Sequence, residues 1–255
     1  MKKVLYILVL LPFLIMAQNT NEYPVMENGL ITPDPAKITE FEAGISAHNK
    51  KYHAEGTFGA RVYWISNGKN VGSYIWTMGP LPWSAMDSRP AQEGHEADWN
   101  KNVLAYALPE GDQTYWKLNV DLSNFSKDFT LDRLLVDTYD VKPYQSEKMR
   151  ELMKKVHKTM IEKLPDEIFG MYTNEFPSMD DGRDLAYVNF FNKSSWLGED
   201  GKFPQKFDEV HGAGSFATFL NEWAEITHGK RSSEIWLFRA DLSGLSGDIK
   251  AVSRQ

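Results

Sequence analysis

The sequence contains no cysteine. That excludes disulfides, thiolate metal ligands, a cysteine nucleophile and lipid attachment at a bacterial export signal. Long apolar runs are nearly as scarce. One stands out, Val4 to Ala17, and it falls short of the about 20 residues that a membrane span needs. A basic surplus is missing too: 28 Lys and Arg face 35 Asp and Glu, for a net charge of −7. An acidic chain without a basic run repels phosphate backbones, so no nucleic acid is expected as a partner. There is no P-loop, no Gly-x-Ser-x-Gly and no dinucleotide fingerprint.

What is present begins with an address. Lys2 and Lys3 precede the apolar run, and Ala17 stands where the chain turns polar at Gln18. This is the pattern of a signal peptide over residues 1–17, and it predicts a periplasmic or secreted protein with no membrane span after cleavage. Loss of Lys2 and Lys3 would take the charge to −9.

The remainder repeats itself. Phe58-Gly59 recurs as Phe169-Gly170, an offset of 111, and at that offset Ile38, Phe41 and Ile45 meet Met149, Leu152 and Val156. Asp121-Leu122-Ser123 recurs as Asp241-Leu242-Ser243, an offset of 120. Two units are expected, residues 18–125 and 126–255. Each reads as strand, helix, strand, strand, helix, strand, the ferredoxin-like order. In the first unit the strands are placed near 29–32, 58–65, 73–78 and 113–122, with helices from Pro35 and over 93–107. In the second, helices are placed over 146–163 and 205–228, the latter broken near Gly212 and Gly214.

The strands lack a wet face. Ala60, Val62 and Trp64 oppose Arg61, Tyr63 and Ile65; Tyr74, Trp76 and Met78 oppose Ile75 and Thr77. Helices can cover one face of each antiparallel sheet, and the sister sheet can cover the other. The predicted fold is therefore α+β: tandem ferredoxin-like βαββαβ units whose two antiparallel sheets pack face to face as an α+β barrel. The pattern resembles the dimeric α+β barrel superfamily with both halves in one chain, and also a group of exported bacterial proteins. The stretches that carry the likeness are Phe41-Glu42-Ala43-Gly44 through His48-Asn49-Lys50-Lys51, Tyr74 to Pro80, and Lys206 to Gly212. The superfamily includes cofactor-independent monooxygenases, haem proteins and small-ligand binders, so the resemblance brings no single activity. None of its catalytic motifs can be placed here.

Four functions remain open. The first is binding of a small aromatic or otherwise apolar ligand between the sheets, lined by Trp64, Trp76, Trp116 and Tyr115, with Arg61 or Asn100 orienting a polar group. The second is an oxygenase-like enzyme without a cofactor, using His95 or His211 as base, since both have carboxylates nearby in sequence. The third is a haem or metal protein. The fourth is an envelope protein whose aromatics simply fill the space between the sheets. No cofactor and no metal ligand set is predicted: His95-Glu96-Ala97-Asp98-Trp99 has Trp where a zinc protease helix needs its second His. The chain is expected as a monomer or homodimer.

Overall fold

The computed structural model describes residues 22–178 and 180–251; the export signal read at residues 1–17 lies outside them. The chain opens with β1 (Val25–Pro33), α1 (Ile38–Tyr52), β2 (Ala60–Ile65) and β3 (Tyr74–Leu81). The short α2 (Trp83–Asp87) and α3 (His95–Asn102) lead to β4 (Ala107–Leu118). After β5 (Phe129–Thr130), the pattern returns as β6 (Arg133–Val141), α4 (Ser146–Lys163), β7 (Phe169–Asn174) and β8 (Leu185–Phe191). Next come α5 (Phe203–His211), α6 (Ser215–Ile226), β9 (Thr227–Phe238) and β10 (Asp248–Ile249). Among the described residues no helix is long and apolar enough to cross a membrane.

Eight strands close one barrel in the order β1-β3-β2-β9-β6-β8-β7-β4, with β4 returning to β1. Within it, β4-β1-β3-β2 and β9-β6-β8-β7 are the same antiparallel arrangement. The seams are β2 on β9, with Trp64 opposite Leu237, and β4 on β7, with Lys117 opposite Thr173. Each half would leave two open edges alone, and the other half pairs both. The β5–β10 pair forms a separate two-stranded sheet.

Strand alternation divides the core into three apolar clusters. Phe41 and Ile45 of α1 pack on Val62, Trp76 and Met78 outside the first half of the barrel. Leu152 and Met153 of α4 pack with Phe207, Phe219 and Leu185 outside the second. Tyr63, Ile75, Leu134, Val136 and Val188 form the third, inside the barrel. The two-faced strand pattern thus has the predicted cause: helices outside, sister sheet inside.

Candidate functional site

Two spaces flank the first-half sheet. The barrel encloses a lumen of about 780 Å³, walled by Tyr63, Leu134, Val136, Trp116, Phe190 and Trp236. Some of its aromatics pack on one another, Tyr63 on Trp236 and Phe190 on Phe125 and Phe129. Burial pushes the Tyr63 phenol up to about 12, so it stays protonated. Three arginines reach the lining: Arg61, Arg183 and Arg231. Arg183 is paired with Asp112 and Asp181, and Arg231 with Asp137. Arg61 has no carboxylate within ion-pair distance among the described residues; its Nε donates to the Ser246 carbonyl at 2.9 Å. Asp248 is close enough for its field to reach Arg61, but burial is the larger effect and disfavours the charge.

The predicted lining residues divide. Arg61 and Trp116 line the lumen. Trp76, Trp64 and Tyr115 are one residue out of phase and point outward. Trp64 joins the helix-side core, while Tyr115 contacts Trp83 and Phe176. Asn100 is exposed on α3 and lines neither space. His211 is the last residue of α5. Its Nε2 lies 3.0 Å from the Lys155 carbonyl and 3.2 Å from Thr159 Oγ1, between α4 and α5 and away from both spaces.

The second space, about 550 Å³, lies on the helix-facing side of β1 and β3. His48, His53 and His95 meet there, together with Trp76, Arg89 and Gln113. One nitrogen from each imidazole lies within 4.8 Å of the others. The backbone explains the meeting. His48 lies on α1, and His53 caps its end with its N–H on the Asn49 carbonyl. Gly94, at φ +75°, turns the chain into α3 so that His95 is its first residue. Gly44, one turn before His48, lets α1 and α3 touch: a Cβ there would sit 1.6 Å from the Asn102 carbonyl oxygen. That approach brings His48 Nδ1 within 2.8 Å of Asp98 Oδ2.

Each contact fixes a tautomer. His53 Nδ1 donates to the Phe58 carbonyl at 2.7 Å, and His48 Nδ1 donates to Asp98, leaving both Nε2 atoms as lone pairs. His53 Nε2 and His95 Nε2 are 3.0 Å apart. Burial lowers the basicity of all three, taking His53 to about 4, so they are neutral at pH 7. The Asp98 carboxyl is held low, chiefly by its hydrogen bond with His48. Glu27 is buried in the same wall and accepts from Arg89 and Gln113. Sequence reasoning missed this group because 42 residues separate His53 from His95. The legible signal was the His48–His53 spacing at the end of one helix.

The histidines predict an acid sensitivity. Unfolded, His53 takes a proton near pH 6.5; folded, it resists until about 4. The unfolded state binds more protons in that window, so stability is full above about 6.5 and falls as pH drops through it. His53 alone would contribute up to ~3 kcal/mol. Denaturant titrations of wild type and His53→Leu between pH 7 and pH 4 should show a shallower decline in the variant. Equal slopes would show that His53 does not titrate this way.

No family model matches the sequence, and no curated protein matches it. Solved structures do. A proposed monooxygenase from Lactobacillus acidophilus superposes with a TM-score of 0.54 at 14% identity, covering 91% of this chain and 100% of that one. One of the same description from Fusobacterium nucleatum gives 0.57 at 11% over the same shares. An anthrone oxidase-like protein gives 0.54 at 10%, covering 86% of this chain and 92% of its own. At these identities the likeness shows the fold alone, a closed antiparallel barrel with helices outside.

Proposed function

We propose that this is an exported, small-ligand-binding α+β barrel protein, built from two fused ferredoxin-like units, that takes an amphipathic acid into its lumen. The observation that carries this reading is the 780 Å³ lumen, whose mixed wall sets apolar side chains beside a guanidinium, Arg61, with no carboxylate at ion-pair distance among the described residues. The volume suits a small organic molecule. An aliphatic or aromatic body would lie against Leu134, Val136 and Trp236, and a carboxylate would take the two-pronged face of Arg61. The ligand's charge would also relieve the cost of a cation held partly out of water. Because the barrel closes within one chain, a monomer suffices. Export belongs to this proposal as well: intact mass of protein made in a bacterial host should place the mature N-terminus at Gln18.

Trp116 and Trp236 both line the lumen, so their fluorescence reports on occupancy. Dodecanoate and dodecanol are suitable probes. Arg61→Met should weaken dodecanoate at least tenfold and leave dodecanol nearly unchanged, as loss of a charge-assisted pair requires. Equal effects on both probes would remove Arg61 from the site.

A further inference from the structure

We infer that His48, His53 and His95 form a three-imidazole site for one divalent late transition metal ion, Zn(II) or Cu(II), with a coordination position open to the helix-side cavity. This goes beyond ligand binding in the lumen. The two spaces lie on opposite sides of β1 and β3, although Leu30, Asp112 and Gln113 contribute to both linings.

The first observation is convergence. One nitrogen from each of the three imidazoles lies within 4.8 Å of the others; to bind one ion, the rings would draw together and His95 Nε2 would give up the proton it shares with His53 Nε2. The 3.0 Å between His53 Nε2 and His95 Nε2 already fits two ligands at roughly 2.0–2.1 Å from a shared metal.

The second is an unsatisfied atom. His48 Nε2 is buried, has no hydrogen-bond partner, and belongs to a side chain with 0% exposure. A desolvated lone pair without a donor is unfavourable, and a cation satisfies it.

The third is the outer support. Metal-bound imidazoles characteristically donate their other nitrogen to a carboxylate or a backbone carbonyl, and His48 and His53 do so, to Asp98 and Phe58.

The chain carries its own control. His53 follows α1 as Leu164 follows α4, each donating its N–H at 2.8 Å to a carbonyl four residues back. That registration sets Thr159 at the place of His48. Gly94 and Gly214, at φ +75° and +77°, open α3 and α6 and set Ser215 at the place of His95. The second half keeps this helix end with Thr159 and Leu164 and this helix start with Ser215, so neither local turn requires a histidine.

The donor set selects the metal class. Neutral imidazoles without thiolate or carboxylate suit Zn(II) and Cu(II) over Mg(II) or Ca(II). Three protein ligands leave a fourth position for water or substrate, as in catalytic rather than structural zinc sites. Trp76, Arg89 and Gln113 line the space that position would face.

The test uses the untagged mature chain, stripped of metal and titrated with Co(II) as a visible probe, then with Zn(II) as competitor. One Co(II) per chain is expected, with the d–d absorption of a low-coordinate nitrogen site, displaced by one equivalent of Zn(II). His53→Leu and His95→Ser, which copy the second half, should each weaken Zn(II) at least 100-fold while circular dichroism stays native. Asp98→Asn should weaken it about tenfold as a positioning residue, and His211→Ala should change nothing. A featureless Co(II) titration with no competition by Zn(II) would overturn the site. So would binding that survives in both histidine variants, or a pair that simply shares a proton between His53 and His95 whether or not metal is added.

Discussion

Gly44→Ala is expected to destabilise the protein by about 3 kcal/mol or more and to lower its melting temperature by roughly 6–12 °C. The Cβ would lie 1.6 Å from a main-chain oxygen and 2.7 Å from its carbon, and neither can rotate aside. The helices must part or one must shift along the other. The loss would reach beyond packing, since the His48–Asp98 contact is one turn away and depends on that approach. Differential scanning calorimetry measures the first effect. The second appears as weaker Zn(II) binding in a variant that is still folded at 20 °C. A Gly44→Ala protein with wild-type melting would mean that α1 and α3 are not in contact at this point.

Val136→Trp should abolish binding of dodecanoate, by at least 100-fold, with stability changed by no more than about 1 kcal/mol. Val136 is 5% exposed and faces the lumen. In a filled core the added ring would cost roughly 1–3 kcal/mol in overpacking; in an open lumen it occupies the space meant for ligand. The two readouts therefore separate the proposed reading from an envelope protein with a solid interior. Large destabilisation with no binding to lose would favour the solid interior. Metal affinity at the histidines should not change, because Val136 does not line the helix-side cavity.

Regular elements were legible where one hydrophobic period persists. Ser146–Lys163 matches its expected span because Met149, Leu152, Met153 and Met160 keep a buried stripe through the whole helix. The break in the last helix was legible too, from two glycines that adopt φ of +105° and +77° between α5 and α6. The region before β4 was not. A helix expected over 93–107 ends at Asn102, and β4 begins at Ala107, six residues before its expected start. Residues 108–112 are mostly exposed, so no apolar alternation marks them; their strand character comes from pairing with β1, where Asp112 faces Leu30.

The site was legible only in part, for a related reason. When both faces of a strand are apolar, sequence does not say which face is inside. Trp116 and Tyr115 are adjacent and equally aromatic, yet only Trp116 lines the lumen. The same ambiguity misplaced Trp64 and Trp76, which face the helices. Arg61 shares a face with Tyr63, and the closed barrel is what turns that face inward. The imidazole group was hidden because it depends on a helix crossing that Gly44 allows and a left-handed turn at Gly94, neither of which has a residue pattern of its own.

The most direct test of the central claim is a crystal of the mature protein grown with 12-bromododecanoic acid and measured at the bromine edge. The account predicts one bromine anomalous peak per chain inside the barrel, near Trp236 or Val136, with the carboxylate density on Arg61. A peak confined to the outer surface, or an empty lumen at saturating ligand, would contradict it.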